Sequence, residues 1–332
     1  MTEAITIRGA GVVGLCVATE LMARGVPVTL RDPVPAPGPH ACSWWAGGML
    51  APYCEGATAE EPVVRLGREA ADWWAAQGVD VQHHGSLVVT LARDRREIDQ
   101  FARRTTGHRL VTGADLAKLE PHVADRHDRA LWLKDEAHID PRAALAHLRT
   151  QLEDRGARFE ETDAAPSGPG IGTVIDCRGL AAQDALKDLR GVKGEMIVLR
   201  SRDVTLTRPV RLLHPRFPLY IVPRGDGIFM LGATQIESGE RGRASARSVM
   251  ELLSAAYALS PAFGEAEVIE IGADARPAFP DNLPRITRKG DTLHVNGLFR
   301  HGFLLSPAVA RQVAGLVLRD NERPELYHED HA

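Results

Sequence analysis

Several things are scarce in this sequence of 332 residues, and each scarcity closes off a class of function. Cysteine is one. Cys16, Cys42, Cys54 and Cys177 are scattered, with no CxxC pair and no zinc spacing, which excludes a disulfide scaffold and suits a reducing compartment. Long apolar runs are another. None reaches membrane-spanning length, and the first strand pattern begins within a few residues of Met1, leaving no room for a signal peptide. A cytoplasmic protein without a membrane partner is expected. Charge of one sign is also missing: 40 Lys+Arg against 44 Asp+Glu gives a net charge of −4, so no nucleic-acid partner is expected. There are no repeats and no low-complexity segment. What remains is 44% hydrophobic and 25% charged, the composition of a globular protein, in a chain too long for one ordinary core. Two domains are expected.

The strongest signal opens the chain. Ile5-Thr6-Ile7-Arg8 reads as a strand, Gly9-Ala10-Gly11-Val12-Val13-Gly14 as a turn, Leu15 to Ala23 as a helix and Val26 to Leu30 as a second strand ending at Asp32. In this arrangement Gly9 makes the tight turn, Gly11 lets backbone approach a pyrophosphate and Gly14 lets the helix pack on the strand. The helix N-terminus offers free N–H groups to the phosphates. Asp32 stands where a carboxylate would accept from a ribose. A dinucleotide site follows, although the turn by itself does not separate NAD from FAD.

Further along, a helix is expected over Val63 to Gln77 and another over Asp94 to Arg104, capped by Asp94 with Glu97 three residues on. Asp140-Pro141 opens a helix, Gly225-Asp226-Gly227 joins two strands as a hairpin, and Ser306-Pro307 starts a helix running to about Arg319. Strands and helices alternate early and late, whereas the middle reads as hairpin-joined sheet. The fold class expected is therefore α/β: a Rossmann-type parallel domain interrupted by insertions that build a second, mixed sheet. His83-His84 has no third ligand in view and reads as a turn, not a metal site. Beyond Arg323 the tail is polar and expected to fray.

Taken in order, a set of motifs resembles the flavin-dependent glycine and D-amino-acid oxidases, most closely the glycine oxidases of thiamine biosynthesis. They are Gly9 to Gly14, Ala46-Gly47-Gly48-Met49-Leu50, His138-Ile139-Asp140-Pro141, Val192-Lys193-Gly194-Glu195, Tyr220-Ile221-Val222-Pro223-Arg224, Leu231-Gly232-Ala233-Thr234, Arg276-Pro277 with Asp281-Asn282-Leu283-Pro284, and Phe299-Arg300-His301-Gly302. The resemblance covers nearly the whole chain. It implies non-covalent FAD and a glutathione-reductase-like FAD-binding domain made of residues 1–82, 139–190 and 268–325. Residues 83–138 and 191–267 would form the substrate domain, and 326–332 a polar tail. It puts Val12 and Val13 at the phosphate turn, Asp32 at the adenosine ribose, Cys42 and Ser43 beside the pyrophosphate, Gly47, Gly48 and Met49 along the flavin ring, and Ala164 near the adenine. The run Leu298, Phe299, Arg300, His301, Gly302, Phe303 and Leu304 would lie under the ring, where the helix after Ser306-Pro307 would stabilise negative charge on the reduced flavin.

The reaction implied is oxidation of glycine by hydride transfer to the flavin, then reoxidation by O2 to hydrogen peroxide, with glyoxylate and ammonia or delivery of the imine to thiazole synthase. Arg276 is the expected carboxylate clamp, because a guanidinium fork matches a carboxylate and the following Pro277 holds its backbone extended. Tyr220 would add a hydrogen bond and Arg300 a second cation nearby. Three departures bear on substrate choice: Gln235 replaces a methionine facing the pocket, His301 replaces an asparagine, and Trp44 and Trp45 replace small residues. A D-amino-acid or sarcosine oxidase, a dehydrogenase of the same fold and a non-catalytic dinucleotide-binding scaffold are the alternatives. The sarcosine type with cysteinyl flavin is disfavoured, since no cysteine follows Cys177. A homo-oligomer, a tetramer by resemblance, is expected.

Overall fold

The computed structural model describes residues 5–165, 173–214, 218–319 and 323–329. Alternating apolar residues in Ile5–Arg8 and Val28–Asp32 bury one face of each strand, and the two pair in parallel. They sit in a sheet of seven strands whose order across the sheet is 327–329, 285–289, 292–296, 174–176, 5–8, 28–32 and 158–161. Five of these strands run parallel; 285–289 turns back antiparallel on 292–296, and 327–329 follows it. The helices Val12–Ala23 and Gly302–Leu318 pack against each other and close one core with the sheet, through side chains such as Leu15, Leu30, Ile175 and Val309.

A second, mixed sheet has nine strands, built around the long strand Arg190–Arg200. That strand pairs with Ile228–Gly232 on one side and with Glu267–Ala278 on the other. The helix Ala246–Leu259 covers one face, with Leu252, Ala256 and Leu259 buried and Ser245 capping it by accepting from the Ser248 amide at 3.2 Å. The hairpin at 225–227 forms, with positive φ at all three residues.

The structure corrects several expectations. Residues 267–278 belong to the second sheet, not with the first as the expected boundary at 268 had them. The tail is not frayed throughout: Tyr327–Glu329 adds a parallel edge strand, and Leu326 is buried. The helix expected over 63–77 is two, Glu61–Gly67 and Ala70–Ala76; the chain turns where Gly67 lies so close under Leu304 that a β-carbon would come within 2.8 Å of it. Asp94 makes no capping hydrogen bond to the helix Arg95–Arg104. The last helix starts at Gly302, four residues before Ser306, so Pro307 lies inside it. Among the described residues no helix is long and apolar enough to cross a membrane.

Candidate active site

A cleft of about 910 Å³ runs from the first glycine turn to the second sheet. Its first end is backbone built. Gly9 has φ +99°, and a β-carbon there would come within 2.6 Å of the Cys177 carbonyl; one on Gly14 would meet the Gly9 carbonyl at 2.0 Å. Only glycine fits either position. The Val12 amide donates to Ser43 Oγ at 3.1 Å. Asp32 accepts from the Ala10 amide through Oδ2 and the Val34 amide through Oδ1, both at 2.9 Å, so its carboxylate is fixed at the cleft's edge. Gly11, Val13 and Cys42 border the same end. Burial pushes the Cys42 thiol up to about 11, with Asp274 adding to the shift, so it stays neutral. Gly14 packs helix on strand behind the cleft. Ala164 is exposed and does not border it; its neighbour Asp163 does, and the Asp163 carbonyl accepts from Arg8 at 2.9 Å.

In the middle, Gly47, Gly48 and Met49 form one side. Arg224 reaches over from the second sheet and donates to the carbonyls of Ile139 at 2.6 Å, Gly47 at 2.9 Å and Ala46 at 3.2 Å. Burial lowers its pKa to about 10. The run Leu298 to Leu304 forms the other side. Because the helix begins at Gly302, its unsatisfied N–H groups and positive dipole end lie in this run itself, closer to the cleft than a start at Ser306 would put them. Trp45 borders the cleft and Trp44 does not; the Arg142 guanidinium lies over both rings, at 5.4 and 4.5 Å from their centroids.

Arg276 faces the cleft from the strand 267–278. Its guanidinium crosses Gly194, where a β-carbon would come within 2.0 Å of Nη2, and Nη1 donates to the Thr234 carbonyl at 3.2 Å. Among the described residues Arg276 has no ion pair, and burial lowers its pKa. Tyr220 is wedged between the Gly47 loop and the neighbouring strand: a β-carbon on Gly47 would come within 2.8 Å of its ring and one on Gly232 within 2.7 Å of its hydroxyl. Gln235 borders the cleft with its side chain exposed. Arg300 is placed differently from Arg276. Its Nη2 donates to Glu55 Oε2 and to Thr58 Oγ1, both at 2.6 Å, so its charge is already met.

Sequence reasoning missed Glu55, Arg211 and Glu195. Glu55 also accepts from Arg211 at 2.9 Å and lies 3.0 Å from His301 Nε2. Burial by itself would raise its pKa, but Arg300, the His301 hydrogen bond and Arg211 hold the carboxyl well below its ordinary range. The signal in the sequence was slight: a lone acid after the apolar run Met49 to Cys54. Glu195 fixes the loop carrying Gln235, accepting from Thr234 Oγ1 at 3.0 Å and the Ser245 amide at 2.9 Å. Among the described residues no cluster of three or more metal-capable side chains occurs, and His83 and His84 are exposed.

A glycine turn that seats a dinucleotide opens this cleft, and the cleft is that of a cofactor-dependent oxidoreductase. The chain belongs to the DAO family, FAD dependent oxidoreductase, whose model matches residues 4–316. It is 53% identical over 322 residues to a protein of Rhizobium etli named for thiamine biosynthesis as the oxidoreductase ThiO, covering 97% of this chain and 98% of that one. It is 27% identical to a glycine oxidase of Pseudomonas aeruginosa, over 96% of this chain and 95% of the other. The solved glycine oxidase of Bacillus cereus has the same fold, with a TM-score of 0.81 at 22% identity over 96% of both chains. The protein is therefore an FAD-dependent oxidoreductase, and its own geometry fits the cofactor: Gly11 puts no side chain into the cleft, and Asp32 and the Gly302 helix start border it.

Proposed function

We propose that the protein oxidises glycine and other small amino acids at the α-carbon. The observation that carries this reading is Arg276, a guanidinium that borders the cleft and has no ion pair among the described residues. A free carboxylate would complete its fork with two parallel hydrogen bonds. Tyr220, held beside it, would add a third. Gln235 would meet whatever the α-carbon carries, and Glu195 would keep that loop in place through Thr234. FAD, when bound, would supply the oxidising power as a two-electron acceptor that O2 would reoxidise with release of hydrogen peroxide, and water would take the imine product to glyoxylate and ammonia. The chain's task is to aim that C–H bond, hold the carboxylate and keep water out.

The cofactor is held, in this reading, by Gly9, Gly11, Val12, Val13, Asp32, Cys42 and Ser43 at the nucleotide end and by Gly47 to Met49 and Leu298 to Leu304 at the ring. The Rhizobium relative's name supports a role in thiamine biosynthesis, and delivery of the imine to thiazole synthase is part of the proposal. A homo-oligomeric assembly belongs to the same reading. The test is anaerobic bleaching of the yellow holoenzyme by glycine, sarcosine and D-alanine, followed by a peroxide assay in air. Bleaching by glycine with peroxide release is expected. A flavin that none of the three amines reduces would overturn the proposal, and reduction without peroxide in air would make the protein a dehydrogenase.

A further inference from the structure

We propose that Glu55 sets the substrate class at this site: by engaging Arg300 and Arg211 it leaves Arg276 as the cation on offer, and so selects amines with one carboxylate over amines with two. The inference rests on the reading of the cleft given above.

Glu55 ends the short helix Pro52–Glu55 and is 8% exposed. Both of its oxygens are used. Oε2 accepts from Arg300 Nη2 at 2.6 Å and faces His301 Nε2 at 3.0 Å, while Oε1 accepts from Arg211 Nη2 at 2.9 Å. The three partners come from elements far apart in sequence: Arg211 from the strand Val210–Leu213, Arg300 and His301 from the approach to the last helix. Glu55, Arg211, Arg300 and His301 all border the cleft that Arg276 borders. His301 Nε2 lies 3.0 Å from that carboxylate and accepts from Arg300 Nε at 3.3 Å, so the imidazole belongs to the same polar cluster.

The charge balance follows. Six arginines border the cleft: Arg178, Arg241 and Arg247 pair with acids of their own, Arg276 has no ion pair among the described residues, and Arg211 and Arg300 are both answered by Glu55. It occupies the position that a second carboxylate of a ligand would otherwise take. A dicarboxylate entering the intact protein meets an anion already installed, and must either displace a buried carboxylate from two partners or leave its own second charge unpaired; both are costly. With Glu55 neutral, the two arginines become uncompensated cations, and the ligand's second carboxylate relieves them. Glu55 is thus a specificity-determining residue, not a catalytic one.

The test uses FAD-loaded enzyme without oxygen and ligands that are not turned over. Acetate is compared with malonate, succinate and glutarate by titration calorimetry. In the wild type, no dicarboxylate is expected to bind more than about threefold tighter than acetate. In Glu55→Gln the ratio of dicarboxylate to acetate affinity should rise about tenfold or more for the chain length that spans the site, and Glu55→Asp, which keeps the charge, should hold the wild-type ratio. A wild-type preference for a dicarboxylate of about tenfold would overturn the assignment without any variant, which covers the case of a Glu55→Gln protein that does not fold. So would a folded Glu55→Gln protein with an unmoved ratio. Because these ligands only bind, the result stands apart from the oxidase reading: glycine bleaching with an unmoved ratio removes Glu55's role alone, and a moved ratio without bleaching removes the oxidase alone.

Discussion

Trp74 Nε1 donates to the Phe303 carbonyl at 2.9 Å, the acceptor that Pro307 leaves without a helical partner. Proline has no N–H, so the carbonyl four residues before it loses its bond, and a buried orphan carbonyl is costly. Trp74 is fully buried, and its ring stacks on Phe303 with centroids 5.6 Å apart. One side chain from the helix Ala70–Ala76 thus lets the last helix begin early enough to meet the cleft.

Trp74→Phe keeps an aromatic ring and removes the donor. Stability to urea should fall by about 1–3 kcal/mol, the cost of a buried polar group left alone. A loss no larger than that of a surface substitution would mean that the carbonyl finds another donor.

Arg276→Ala should weaken glycine binding by roughly 2–5 kcal/mol, since the carboxylate would then be buried without its cation. Anaerobic titration of the flavin spectrum reads this directly. Unchanged saturation by glycine would take Arg276 out of the site.

Asp32→Ala should weaken FAD binding by about 1.5–3 kcal/mol, the range for hydrogen bonds to a charged group. Fluorescence titration of apoprotein with FAD measures it. An affinity equal to that of the wild type would leave Asp32 serving the glycine turn alone, through Ala10 and Val34.

Glu136 gives a prediction for pH. It is 1% exposed, and burial pushes its carboxyl from the ordinary 4.5 up to about 7, although the Cys54 amide donates to it at 2.6 Å. The folded state therefore holds this proton more tightly than the unfolded state, and stability falls as pH rises between those two values. The penalty, complete above the folded pKa, is on the order of 3 kcal/mol. Glu136→Gln removes it. Urea denaturation of both proteins at mildly acidic and mildly alkaline pH should show the wild type losing ground to the variant at the higher pH; parallel behaviour would rule the mechanism out.

What the sequence made legible was local. The glycine turn, the hairpin at 225–227 and the Asp140 cap, which accepts from the Arg142 amide at 2.8 Å, are set by residues a few positions apart. Ser306-Pro307 misled for an instructive reason. Serine then proline is a good helix start, but Ser306 Oγ donates back to the Gly302 carbonyl at 2.6 Å, and the donor that makes the earlier start tolerable lies 229 residues away. Glu55 was invisible for the same reason: its partners Arg211 and Arg300 are 156 and 245 residues distant, and no spacing rule connects them. The long strand 267–278 is hard to read in sequence, because Asp274 and Arg276 interrupt its apolar run to border the cleft.

Arg224 has one more implication. Its guanidinium comes from the end of a strand in the second sheet, and its three carbonyl acceptors flank the short strand pair 49–50 and 137–138. Prising the layers apart at that point would strand all three oxygens together. The middle of the cleft is thus pinned, and whatever flexing admits a small molecule must happen away from this rivet.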